Sequence, residues 1–127
     1  MTRAIRAALG LFLLGGFWLA PALGQQGIEQ HKIEYLISAI ADLKGARFIR
    51  NGHEFDSLRA VEHLRLKLRL SKSHIKTAED FINRCATASS ISGEKYRIRL
   101  ADGRIVESAV FLRDMLAAYP TQEPKSH

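Results

Sequence analysis

The sequence predicts an α+β fold with about four helices and two short antiparallel hairpins in a single small domain. Two turn dipeptides, Asn51-Gly52 and Asp102-Gly103, each lie between short runs that alternate apolar and polar residues. Four other segments carry apolar residues at helical spacing, so that helices and hairpins alternate along the chain. Strands joined by such short turns pair antiparallel, which predicts a mixed domain without parallel strands.

The first 24 residues have the layout of a secretory signal peptide. Arg3 and Arg6 form a positive start, and an uncharged apolar stretch follows from residue 7 to 20. Small residues then precede the expected cleavage between Gly24 and Gln25, which predicts a periplasmic or secreted protein. The alternative is an N-terminal membrane anchor, because the apolar stretch approaches the ~20 residues that span a bilayer.

The predicted organisation is a signal peptide over residues 1–24, one domain over 25–119 and a disordered polar tail over 120–127. Without Arg3 and Arg6 the 19 Lys and Arg residues fall to 17, against 13 Asp and Glu, so the net charge falls from +6 to +4. This mild excess suits an anionic component of the cell envelope or a protein partner, and it indicates no nucleic acid. We expect no stable membrane insertion after cleavage.

The first predicted helix covers residues 28–44 and ends at Gly45, a residue that tolerates the left-handed backbone after a helix. Its buried face is formed by five apolar residues three or four positions apart: Ile33, Leu36, Ile37, Ile40 and Leu43. The hairpin that follows turns at Asn51-Gly52, which suits a type I′ turn. Phe48 and Phe55 are its expected inward anchors.

The segment from residue 57 to 71 fits two structures. Leucine alternates with arginine and lysine in its second half, which is the period of a strand. Residues 62–73 lack β-branched side chains and are rich in strong helix formers, which favours a helix capped by Asp56 or Ser57. On such a helix Leu66 and Leu70 lie opposite the core-facing side, so a second layer of the domain or a partner must cover them.

Thr77 and Asp80 have the spacing of a capping box, which predicts the start of a third helix. Its expected inward residues are Phe81, Ile82 and Cys85, and the one cysteine of the chain is expected to be buried because it has no internal disulfide partner. The second hairpin turns at Asp102-Gly103 and places Tyr96, Ile98 and Leu100 inward. Ser108 is the expected cap of the last helix, which Pro120 ends.

No sequence motif indicates a cofactor or a metal. The glycines are scattered over turns, without a phosphate-binding or dinucleotide pattern. The candidate ligands have no spacing that presents them on one face: His53, Glu54, Glu62, His63 and His74. A serine hydrolase that uses Ser89, Ser90 or Ser92 with His63 as base is the enzymatic alternative, although no nucleophile elbow is present.

The remaining candidate is a binding site built from Arg50, His63 and Lys67. His63 and Lys67 are one helical turn apart, and they form an anion-binding cleft if Arg50 of the first hairpin approaches them. A carboxylate, a phosphate or an acidic glycan would be its ligand. The alternative is internal pairing, in which Glu62 binds Arg65 or Arg69 on the same helix.

Several segments, in this order, resemble a family of short bacterial exported proteins classed as a domain of unknown function: Phe48-Ile-Arg-Asn-Gly52, Glu62-His-Leu-Arg65 with Lys67, Thr77 to Ile82, Ser89 to Tyr96, and Asp102-Gly103. The resemblance implies a signal peptide and one small domain, and it implies no activity or ligand. We expect a non-catalytic binding or envelope-associated protein.

Overall fold

A computed structural model describes residues 20–120, with side chains from residue 24. The predicted leader up to residue 19 and the tail from residue 121 lie outside the described residues. The helices and strands in chain order are α1 (Ala20–Ala41), β1 (Arg47–Arg50), β2 (His53–Phe55), α2 (Ser57–Leu70), α3 (Ala78–Phe81), β3 (Arg97–Arg99), β4 (Ile105–Glu107) and α4 (Ser108–Ala117). This order confirms the predicted α+β fold.

The two hairpins combine into one antiparallel sheet with the strand order β2-β1-β3-β4. Pairing of β1 with β3 joins them, and it places Phe48 opposite both Phe55 and Ile98. The turn of the first hairpin has positive φ at Asn51 and at Gly52, as a type I′ turn requires. The hairpins were predicted from the sequence, whereas their union into one sheet was not.

Helix α1 differs from the prediction at both ends. It already runs at Ala20, eight residues before the predicted start at Ile28, and it passes through Pro21. The helix ends at Ala41, three residues before the predicted end at Lys44. Gly45 lies in the following turn with φ +70°.

The segment Ser57–Leu70 forms a helix and not a strand, as its residue types predicted. The Asp56 carboxylate caps it by accepting from the Arg59 N–H at 2.9 Å, and the Ser57 hydroxyl donates to the Leu43 carbonyl at 3.0 Å. Leu64 is buried and Leu68 packs against the core. The helix therefore turns one side to the sheet and α1, and leaves the other side exposed.

The third helix begins at the predicted capping box. The Asp80 N–H donates to the Thr77 hydroxyl at 3.0 Å, and the Asp80 carboxylate accepts from the Thr77 N–H at 3.1 Å. The helix continues as a π-helical turn over Ile82–Ala86, which the sequence did not reveal. Cys85 is buried as predicted, and burial raises the pKa of its thiol.

The start of α4 departs from the prediction by one residue. Glu107 is the N-cap and Ser108 is the first helical residue, so Ser108 does not cap the helix. Ser108 donates its backbone N–H to the Tyr96 carbonyl at 2.9 Å, which ties the helix start to the chain ahead of β3. The core lies between the helices and one side of the sheet, and Phe81, Leu36, Ile98 and Leu112 are among its most buried large residues.

Candidate functional site

Arg50 and His63 meet where the end of β1 approaches α2. The Arg50 guanidinium Nη1 lies 2.8 Å from Nδ1 of His63 and 3.3 Å from Nε2. The guanidinium also lies over the Phe55 ring, 5.4 Å from its centroid. The structure thus brings together two of the three residues that the sequence predicted as a binding site.

The shorter contact favours one tautomer of the His63 ring. Arginine can only donate, so the 2.8 Å contact favours the tautomer in which Nδ1 accepts and carries no proton. In the neutral ring the proton is then on Nε2, which donates to the Tyr96 hydroxyl oxygen at 3.1 Å. The contact with Arg50 therefore favours the neutral ring.

Lys67 completes the cluster from the next turn of α2. Its ammonium donates to the Tyr96 hydroxyl at 3.2 Å and to the Ala88 carbonyl at 3.0 Å. It also lies 5.0 Å from the centroid of the Tyr96 ring. Tyr96 is the common contact of His63 and Lys67, and we call Arg50, His63, Lys67 and Tyr96 the basic cluster.

The surroundings lower the pKa of His63 below its ordinary value of 6.5. Burial is the largest cause, and the positive charges of Arg50 and Lys67 act in the same direction. The half-buried ring thus resists protonation because two cations lie beside it.

We expect the free energy of unfolding to fall as the pH falls below about 6.5. The pKa of His63 is lower in the folded than in the unfolded chain, so its contribution is fully present above 6.5 and is lost as the pH falls through the folded pKa. The measurement is urea unfolding from about pH 5 to pH 8, with His63→Gln as reference. The stability difference between wild type and variant should shrink on the acid side, and a difference that grows there would contradict the assignment.

A pocket of about 260 Å³ opens between α2 and the sheet, beside the His63 ring. The residues that line it include apolar core residues and both Arg50 and His63. Tyr96, Arg97 and Ser108 line the same space. Three residues of the basic cluster thus line the pocket. Lys67 does not line it, but it binds the hydroxyl of Tyr96, which does.

The serines of the alternative enzyme site bond elsewhere. Asn51 donates to the Ser89 hydroxyl at 3.3 Å and accepts from Ser92, which ties the loop after α3 to the turn of the first hairpin. Ser90 is exposed in that loop. Within residues 24–120 the hydrogen bonds of the His63 ring go to Arg50 and Tyr96, so the predicted serine–histidine pair is not hydrogen-bonded.

Among the side chains of residues 24–120, Glu62 does not form the predicted internal ion pair with Arg65 or Arg69. Arg65 instead binds Glu34 of α1 through two hydrogen bonds of 3.1 and 3.0 Å. Leu66 and Leu70 are 45% and 77% exposed, and Leu66 also lines the pocket. Their role as a partner surface stays a prediction.

Two further properties concern only the described part of the chain. Between residues 20 and 120 no helix is both long enough and apolar enough to cross a membrane. Over the same range no three His, Cys, Asp or Glu side chains come close enough together to hold a metal ion.

Comparisons with known proteins identify the family of this chain. The model of a family of unknown function, DUF5329, matches residues 28–120. The chain belongs to this family. The uncharacterized protein YfeK of Salmonella typhimurium is 43% identical to it over 68 residues, which cover 54% of this chain and 57% of that protein. The chain thus matches little more than half the length of this relative, and no solved structure matches it.

The candidate site of this DUF5329 protein contains two residues that the sequence did not indicate as site residues. Tyr96 was predicted only as an inward residue of the second hairpin, yet its hydroxyl binds His63 and Lys67. Ser108 was predicted only as a helix cap, yet it lines the pocket. A polar group on an inward-facing tyrosine needs a partner, and this was the available signal for Tyr96.

Proposed function

We propose that this DUF5329 protein is an exported, non-catalytic binding protein that takes a small anionic component of the cell envelope into the pocket beside Arg50, His63 and Lys67. One observation carries the proposal: the Arg50 guanidinium lies against a neutral ring at the pocket wall instead of against a carboxylate. An anion entering the pocket would supply the partner that the guanidinium lacks.

The charges around the pocket support this direction. Arg50, Arg59 and Arg97 line it, and Glu62 is the one acidic residue that lines it with them. Among residues 24–120 none of these three arginines has an ion pair, and neither do Arg69 and Arg84, whereas the other five arginines do: Arg47, Arg65, Arg99, Arg104 and Arg113. The pocket therefore has an excess of positive charge close to a low-dielectric interior, where an anion is attracted most strongly.

The non-catalytic part of the proposal is supported by the same hydrogen bonds. The ring nitrogens of His63 are occupied by Arg50 and Tyr96, and burial together with the charges of Arg50 and Lys67 lowers the pKa of the ring. A ring held this way is a weak general base near neutral pH. The signal-peptide pattern of residues 1–24 supports export, and the exposure of Leu70 leaves room for the predicted partner contact.

The test is a titration of the purified domain with sodium acetate against sodium chloride at constant ionic strength, followed by the NMR signals of His63 and Tyr96. We expect saturable shifts with acetate, and Arg50→Gln should weaken binding about tenfold or more, because a hydrogen bond to a charged group is lost. Arg113→Gln is the matched control, since Arg113 pairs with Glu79 away from the pocket. Equal affinity in the two variants would refute the assignment of Arg50.

A further inference from the structure

The pocket beside the basic cluster has an apolar interior, and this property restricts its ligand further than charge does. Its walls include five apolar side chains of the buried core: Ile40, Phe48, Leu64, Ala86 and Leu112. These walls cannot hydrogen-bond to hydroxyl groups, so the part of a ligand that lies against them must be apolar. A hydrocarbon loses nothing there and leaves water favourably.

The size of the pocket gives the size of this hydrocarbon. An apolar cavity of about 150 Å³ holds a benzene molecule, which corresponds to about 25 Å³ for each non-hydrogen atom. At 260 Å³ the pocket has room for about ten such atoms. A ligand of this size fits inside the domain without displacing core residues.

Ser108 provides a second polar contact, independent of the basic cluster. The residue is 7% exposed and lines the pocket, and within residues 24–120 its hydroxyl makes no hydrogen bond. It begins α4, whose N-cap residue Glu107 accepts from Lys95 and supplies no side-chain hydrogen bond to the helix. A solvent-accessible hydroxyl on the pocket wall, at the positive end of a ten-residue helix, favours an oxygen anion in the pocket.

We infer, on the basis of the proposed anion-binding function, that the ligand is a monocarboxylate with an apolar hydrocarbon part and about ten non-hydrogen atoms, the size of octanoate. Its carboxylate binds among Arg50, His63 and Ser108, and its chain lies along the apolar walls toward the core. The free acid is the recognised form, because esterification would remove the charge that Arg50 and its neighbours attract.

The experiment measures the dissociation constants of acetate, butyrate, hexanoate, octanoate and dodecanoate by calorimetry on the purified domain at constant ionic strength. We expect affinity to rise about threefold to fourfold for each methylene up to about octanoate, and to stop rising by dodecanoate because the pocket is full. Octanol and methyl octanoate, which match the chain but lack the charge, should bind at least tenfold more weakly than octanoate.

Two substitutions on the exposed side of α2 provide a matched pair. Leu66→Glu places a carboxylate at the pocket and should weaken octanoate binding about tenfold, whereas Leu58→Glu adds the same charge to the same helix away from the pocket and should leave it unchanged. Both residues are exposed, so both variants are expected to fold, which circular dichroism verifies. Ser108→Ala should also weaken octanoate binding, by about fivefold.

The outcomes separate this inference from the proposed function. If acetate and octanoate bind equally well and both depend on Arg50, the anion site stands and the hydrocarbon inference fails. If octanol binds as tightly as octanoate, the pocket is apolar without recognising charge, and the inference fails with the proposed function. If no carboxylate binds, both fail as well.

Discussion

Replacement of Phe81 by alanine is expected to lower the free energy of unfolding by about 3–5 kcal/mol. Phe81 is fully buried at the end of α3, in the same core cluster as Leu36 and Ile82. Removing the ring loses its burial and leaves a cavity between elements that the capping box and the π-helical turn hold in place. Since a domain of this size is stable by about 5–15 kcal/mol, the variant should be close to unfolding.

Urea unfolding followed by circular dichroism measures this loss. Leu58→Ala is the control, because Leu58 is 67% exposed and its truncation should change the free energy by less than about 0.5 kcal/mol. A loss below about 1 kcal/mol for Phe81→Ala would mean that this part of the core is loosely packed, contrary to the structure.

The elements that the sequence predicted are those that local chemistry determines. Asn51-Gly52 forms its turn from two residues that tolerate positive φ, and Thr77 and Asp80 form their capping box within one helical turn. Helix α2 was separable from a strand because its residue types favour a helix, even where alternating leucines mimic a strand. None of these interactions depends on distant parts of the chain.

The features that the sequence did not predict depend on contacts between distant residues or on neighbouring structure. Pairing of Phe48 with Ile98 joins two hairpins that are 50 residues apart in the chain, and no local pattern encodes it. The π-helical turn at Ile82–Ala86 and the one-residue shift at Ser108 depend on how the helices fit against the sheet. Local propensity is too weak to specify these details.

The candidate site was predictable only in part, for the same reason. The spacing of His63 and Lys67 on α2 placed both on one side of the helix. The predicted cleft also required Arg50 to approach them, and its Nη1 lies 2.8 Å from Nδ1 of His63. Tyr96 comes from the other hairpin, 33 residues after His63. Tyr96 reaches the cluster only because β1 and β3 pair. Since this pairing was not predicted, the contact of Tyr96 with His63 and Lys67 was not predicted either.

Reversal of charge at Arg50 is expected to have the largest effect on binding. Arg50→Glu removes a guanidinium donor and places a carboxylate at the pocket wall, so octanoate should bind about a hundredfold more weakly, or about 2.7 kcal/mol. The measurement is calorimetry at constant ionic strength, with Arg113→Glu as the control for the same change in net charge. An equal loss in both variants would mean that the net charge, and not the position of Arg50, governs binding.

The same substitution should also reverse how the contribution of His63 to the free energy of unfolding depends on pH. In the wild type, burial and the charges of Arg50 and Lys67 lower the pKa of His63, so its contribution to stability is lost as the pH falls. A carboxylate in place of Arg50 attracts the protonated ring and raises the pKa, so the contribution is present at low pH and is lost as the pH rises through the folded pKa. Urea unfolding of Arg50→Glu, compared with the double variant Arg50→Glu/His63→Gln from about pH 5 to pH 8, isolates this contribution. If it still decreases toward acid pH, burial and the charge of Lys67 control the pKa of the ring, and the charge of Arg50 is not what keeps His63 neutral.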